Sequence, residues 1–298
     1  MNGEGAAMEA ISPPCGRGFR LISPRLGQHI AFGLLWLAGL LAVVALVAVT
    51  GYVMAGGLHL INLEFLLTPP RGGVSGEGGI STTIVTTVYL VALVVAISTP
   101  LGVGAAIYLA EYAGEERWVE WARFGVETLA GVPSIIFGLF GYALFVVALD
   151  FGFSLLSAGL AGACLVLPTI IRASEEAIKA VPREYREGSL ALGATKWQTV
   201  RGVVLPSALP GIVTGIILTI GRVVSETAVF YVTLGGSYRM PRSLLSGGRT
   251  MALHVYYLAM ETRAFEKAMA TATVLVLLTI FLNLAARRIG GLWPGLKR

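Results

Sequence analysis

Residues 80–110 read ISTTIVTTVYLVALVVAISTPLGVGAAIYLA, with no charged side chain anywhere in the stretch. A continuous helix of that length is about 46 Å long, against roughly 30 Å for the hydrocarbon core of a bilayer. The stretch therefore reads as a transmembrane helix that tilts, kinks near Pro100 or protrudes from the membrane. Upstream, residues 30–54 form a second uncharged run. It is too long for the core of a signal peptide and follows a long polar lead-in, so it reads as an uncleaved first span. Downstream, apolar runs recur at 128–149, 151–171, 206–235 and 268–286, separated by short polar or charged stretches. The expected fold is all-α, a polytopic membrane protein with six transmembrane helices.

Composition agrees. Hydrophobic residues make up 55% of the 298-residue chain and charged residues 13%, and the mean hydropathy is +0.77. A water-soluble globule could not hide that much apolar surface, and disorder is excluded by the same figures. The net charge of +5 does not point to nucleic acid, because cytoplasmic loops of membrane proteins collect Lys and Arg anyway. Cys15 and Cys164 lie in a polar tail and an apolar run, which excludes a disulfide framework. His29, His59 and His254 are scattered, so neither a metal site nor a cofactor is expected. No G-x-x-x-x-G-K-[ST] loop occurs, so ATP hydrolysis would have to come from a partner.

The basic residues set an orientation. With both termini cytoplasmic, fifteen Lys and Arg fall on inside segments and five on outside loops. That asymmetry favours a multi-pass protein of the cell membrane with both ends inside. The expected organisation is a cytoplasmic tail at 1–29, a first helix at 30–54, an extracytoplasmic loop at 55–79, a core at 80–287 and a cytoplasmic tail at 288–298. The most charged stretch, 172–201, then lies in the cytoplasm within a loop reaching 205.

That loop carries Glu187, Gly188 and Ser189, then three residues, then Gly193, then nine residues, then Val203, Val204, Leu205 and Pro206. The spacing resembles the E-A-A-x3-G-x9-I-x-L-P signature of ABC importer permeases. Gly188 and Ser189 stand where that signature has alanines, and Val203 where it has isoleucine. Each part has a physical use. Gly193 can adopt a positive φ and reverse the chain. Small residues at 188 and 189 let a partner surface approach. Leu205-Pro206 suits the first turn of the following span.

Further stretches are similar to phosphate importer permeases, and the A-type subunit in particular. They are Gly131-Val132-Pro133-Ser134-Ile135-Ile136-Phe137-Gly138-Leu139-Phe140-Gly141, then Arg172-Ala173-Ser174-Glu175-Glu176-Ala177 with Val181-Pro182, then Gly221-Arg222-Val223-Val224-Ser225-Glu226-Thr227-Ala228. The resemblance covers roughly 60–287. Val229 departs from it, where many relatives have proline, as does the loop at 236–266. The resemblance implies a second permease subunit, ATP-binding ABC ATPase subunits docked on the cytoplasmic loops, an extracytoplasmic phosphate-binding protein and a lipid membrane around the complex.

Arg222 and Glu226 are the charges within the fifth apolar run. Counted from Pro206, Arg222 lies about 24 Å along the helix, where a charge costs about 2.5–3.5 kcal/mol on insertion scales. Three readings stand: a pathway residue facing an anionic substrate and oriented by Glu226, a structural ion pair, or an interfacial anchor. Gly211 and Gly215 form a GxxxG pattern that suits a contact with a partner permease or ordinary close packing. Pro133 and Pro168 suit either a helix break near a gate or simple kinks. Other functional classes remain: an ABC permease for another solute such as phosphonate or molybdate, or a secondary transporter. The latter would need several intramembrane ionisable groups and leaves the 187–206 spacing unexplained. An integral membrane enzyme finds no G-x-S-x-G or H-E-x-x-H motif to support it.

Overall fold

A computed structural model of the chain describes residues 24–71, 77–114 and 116–291. Most of the expected N-terminal tail, with Cys15, Arg17 and Arg20, and the end of the C-terminal one, with Lys297 and Arg298, lie outside the described residues. Helix α1 is Pro24–Gly57. The chain divides into two compact units, residues 1–51 and 52–298. In the first unit α1 exposes its apolar side chains, including Leu34, Leu35, Trp36 and Leu46, as a helix solvated by lipid does.

In the second unit, a short helix α2 (Leu63–Leu67) is capped by Asn62, whose side chain accepts from Phe65 N. A two-residue antiparallel pair, β1 (Pro70–Arg71) and β2 (Glu77–Gly78), follows. Helix α3 (Ser81–Ile107) continues through Pro100 without a break and ends in a π-helical turn, Tyr108–Tyr112. Its Thr83, Thr86, Thr87 and Ser98 hydroxyls bond carbonyls of their own helix. Buried hydroxyls in a helix thereby satisfy themselves without a partner segment.

The third apolar run is not the single span expected over 128–149. Helix α4 (Arg117–Ala130) and helix α5 (Ser134–Gly141), which continues in a π-helical stretch to Ala148, meet at a 100° bend. The break falls on Gly131-Val132-Pro133. Proline there has ψ of 136° and cannot donate the hydrogen bond a continuous helix needs. Pro168, in contrast, sits inside helix α6 (Leu155–Lys179) without interrupting it.

Two spans run past the expected ends of their apolar sequence. Helix α6 carries on to Lys179, so residues 172–179 are helix rather than loop. After α7 (Arg183–Ala191) and α8 (Lys196–Thr199), a π-helical turn at Val200–Val204 joins α8 directly to α9 (Leu205–Ser225). Nothing in charge alone stops a helix, and these ends leave the apolar zone still hydrogen-bonded. The fifth span also ends earlier than 235: α9 stops at Ser225, and α10 (Ala228–Thr233) follows. Helices α11 (Met251–Met260) and α12 (Phe265–Gly291) complete the described residues. Among the described residues, five helices are long and apolar enough to cross a membrane, and the broken α4–α5 pair brings the total to as many as six.

The main core joins α3, α5, α6, α9 and α10 through Leu90, Val94, Phe137, Val166, Ile170, Val223 and Phe230. Small residues bring α6 and α9 together. A Cβ on Gly211 would lie 2.5 Å from the Ala177 Cβ, and one on Gly215 2.7 Å from that of Ala173. The GxxxG pattern therefore packs against α6 of the same chain, where it meets alanines at the same spacing.

Candidate functional site

The loop between α6 and α9 is built on a clamp at its root. The Arg186 guanidinium donates to Ile178 O at 2.8 Å and Val181 O at 2.5 Å, tying off the carbonyls at the end of α6. The same guanidinium meets the Glu111 carboxylate at 2.9 Å. The side chains are 20% and 9% exposed, respectively. Glu111 belongs to the π turn at the end of α3, so the clamp joins two spans. Lys196 sits 5.0 Å above the Tyr112 ring and adds a cation–π contact to the same turn. Beside it, Glu175 accepts from Arg123 at 2.8 Å and Lys179 at 2.7 Å, and Arg123 also donates to Leu109 O. The Glu175–Lys179 spacing of four is thus used as an ion pair within α6.

The loop turns at Gly193, with φ of +84° and nothing within 4 Å of where a Cβ would stand. Gly193 N donates to Leu190 O and Ala194 N to Ser189 O, the reversal that closes a helix end. Thr195 then opens α8 with a reciprocal capping box to Gln198. The Ser189 hydroxyl meets that of Thr199 at 2.9 Å and holds α7 against α8. Glu187, Gly188 and Gly193 are exposed, and Leu192 presents an apolar side chain 91% exposed. Val203, Leu205 and Pro206 are half-buried at the joint with α9. The result is a two-helix knuckle, braced at its root and across its turn, with small residues on its surface and an uncovered leucine at its tip.

Arg222 and Glu226 are not brought together. No ion pair among the described residues joins them; Arg222 is exposed in the last turn of α9. Glu226 is past the end of that helix, and its carboxylate accepts from Ala228 N and Val229 N at 3.1 and 3.3 Å, capping α10. The four-residue spacing does not pair them because the helix stops between them.

Two features have no signal in the sequence spacing. Glu111 and Arg186 are 75 positions apart, and only a charge in each of two polar stretches hints at either. The second is Arg249, 6% exposed. Its Nε and Nη2 donate to Gly236 O at 3.0 and 2.6 Å, and it stacks 4.1 Å over Tyr257. Its Nη1 lies 3.4 Å from His254 Nδ1. Burial and the adjacent guanidinium push the His254 imidazole down to about 4. Burial lowers Arg249 and raises Tyr257. This cluster, with Thr82 bonded to Tyr238 O and Thr87 to Met251 N, fastens the 236–250 loop to α3.

The chain is thus a multi-pass helical membrane protein with a two-helix knuckle between two of its long helices. Residues 98–292 match the model of the binding-protein-dependent transport system inner membrane component, and the chain belongs to that family. It is 32% identical to the Bacillus subtilis protein YqgI, named as an ABC transporter permease, over 89% of this chain and 96% of that one. It is 34% identical to the phosphate transport system permease protein PstA 1 of Mycobacterium tuberculosis, over 89% of each. Among solved structures, it superimposes on a chain of a bacterial alginate ABC transporter with a TM-score of 0.62, at 14% identity, covering 89% of this chain and 98% of that one.

Proposed function

We propose that this chain is the membrane-spanning permease subunit of an ATP-driven phosphate importer. Its likeness to phosphate permeases extends over nearly the whole chain rather than one motif, and this carries the substrate assignment. In this reading both termini and the α7–α8 knuckle are cytoplasmic. An ATPase partner docks on Glu187, Gly188, Ser189 and the turn at Gly193, and its movement reaches α9 through the joint at Val203, Leu205 and Pro206. The rigid clamp at Arg186 supports such a role, because force on a knuckle moves a span only if its root does not yield. A second permease completes the pathway, and an extracytoplasmic binding protein delivers phosphate to it. In this reading Arg222, exposed at the end of α9, faces that pathway. Glu226 holds the start of α10 in position beside it. The chain itself hydrolyses no ATP.

The test is transport in vesicles reconstituted from this chain and its partners. ATP should drive phosphate uptake in one direction only. Uptake of molybdate or a phosphonate with phosphate excluded would overturn the substrate while leaving the permease reading standing.

A further inference from the structure

We infer that α4 is a membrane-surface helix, with one face embedded in the headgroup–acyl boundary of the lipid on the side of the α7–α8 knuckle. At 100° per residue its fourteen residues divide into three faces. Val119, Ala122 and Val126 pack inward, with Val119 fully buried against Leu109 and Ile171. Glu120 and Glu127 form an acidic face. The third face carries Trp118, Trp121, Gly125 and Leu129, with Phe124 at its border, and is uncovered; Trp121 is 71% exposed.

Lipid is the occupant that the surroundings specify. Helix α4 begins within five residues of the end of α3, a helix long enough to leave the bilayer, so it starts at the membrane surface. It lies at 100° to the apolar helix that follows it, close to parallel with the membrane plane if α5 crosses. The Arg123–Glu175–Lys179 ion pairs fix it at the level where α6 emerges. Trp118 of this face lies 5.9 Å from the Tyr108 ring in the turn that ends α3, and Leu101 on α3 and Ile135, Ile136 and Leu139 on α5 are exposed apolar side chains of the adjoining helices. Tryptophan at an amphipathic helix beside charge is the composition of an interfacial anchor.

The length of the next span gives an independent check. The helical stretch Ser134–Ala148 rises only about 22 Å. The hydrocarbon core is about 30 Å thick. The shortfall of about 8 Å is the depth at which interfacial helices lie, about 5–10 Å. Sinking α4 lets a short span reach the far side.

The test uses the full chain in phosphatidylcholine vesicles, with Cys15 and Cys164 replaced by serine and a nitroxide placed in turn at 118, 121, 125, 129, 120 and 127. A side chain at 125 meets nothing within 4 Å. Accessibility to oxygen and to an aqueous nickel chelate reports depth. Positions 118, 121, 125 and 129 should all lie at one shallow depth, with 120 and 127 open to the chelate. Depth that grows steadily from 118 to 129, by about 16 Å, would make α4 the first half of a tilted span and overturn the inference. Chelate access at all four face positions, lost only when the ATPase partner is added, would make the face a protein-docking surface and overturn it equally. The native side chain gives a second readout. In a variant whose sole tryptophan is Trp121, acyl-brominated phosphatidylcholine should quench the fluorescence; unquenched emission in a chain of normal helix content refutes the placement.

Discussion

Replacing Arg186 with methionine tests whether the knuckle is held at its root. The change keeps a chain of similar length but leaves the Glu111 carboxylate, 9% exposed, without its cation. It also removes the donors to Ile178 O and Val181 O. Stranding one member of a buried ion pair costs about 3–5 kcal/mol. Arg186 is itself 20% exposed, so water softens the loss and the low end, about 3 kcal/mol, is expected. Pairing it with Glu111→Gln removes the stranded charge. The double variant should then lose the bonds to the carbonyls of Ile178, Val181 and Pro182 but strand no buried charge, so it no longer carries the largest part of the single variant's cost. The two changes must therefore be strongly non-additive, with the double variant more stable than Arg186→Met alone. Denaturant titration of the purified chain in mixed micelles measures this, and co-purification with the ATPase partner reads the knuckle's integrity in parallel. Additive losses, or a single variant indistinguishable from the parent, would show that the contact is incidental and the knuckle is held by something else.

At Gly193 the surrounding space is open, so substitution cost is purely conformational: Asn should be mildest, Ala should cost about 1–2 kcal/mol and Val more, read as ATPase coupling in reconstituted vesicles; a flat series would refute a working turn there. Because Arg222 has no bridge to Glu226, Arg222→Gln strands nothing and should assemble normally yet transport little, and near-normal uptake would remove it from the pathway. Glu226→Gln keeps an acceptor for Ala228 N and Val229 N and should be mild, whereas Glu226→Leu should cost about 1 kcal/mol as a lost cap, measured by the same micelle titration. His254 is held neutral in the folded chain, with a value of about 4 against 6.5. The unfolded chain takes up the proton first, so stability is full above about pH 6.5 and declines as pH falls toward about 4, by at most about 3 kcal/mol. His254→Gln should flatten that slope between pH 7 and 5, and an unchanged slope would place the titration elsewhere.

Apolar runs made the spans legible because a bilayer demands uncharged length, and that demand is written residue by residue. The knuckle was legible for a related reason: glycine, small residues and Leu-Pro at set intervals are local requirements. What escaped was the course of the backbone where composition stays constant. Residues 128–149 are apolar throughout, yet the chain turns through 100° at Gly131-Val132-Pro133, and hydropathy does not register direction. Arg222 and Glu226 looked paired only under the assumption of a continuous helix, and α9 ends at Ser225. Gly211 and Gly215 announced close packing but not the neighbour, which is α6 of the same chain. Glu111 and Arg186 meet because two spans end at one level, a relation that exists only in three dimensions.

The π-helical turn at Val200–Val204 sets an angular phase between the knuckle and the span it enters. An α-helix advances 100° per residue, and a wide turn admits one residue more than that lattice allows. Side chains of α8 are thus offset by about 100° from where an unbroken helix continuing back from α9 would point them. With this offset, Lys196 faces the Tyr112 ring and Thr199 faces Ser189, while Ala208 and Ile212 keep their buried side. The extra residue acts like a keyed coupling between two shafts. It lets one continuous hydrogen-bonded rod satisfy two mating surfaces whose orientations a uniform helix could not serve together.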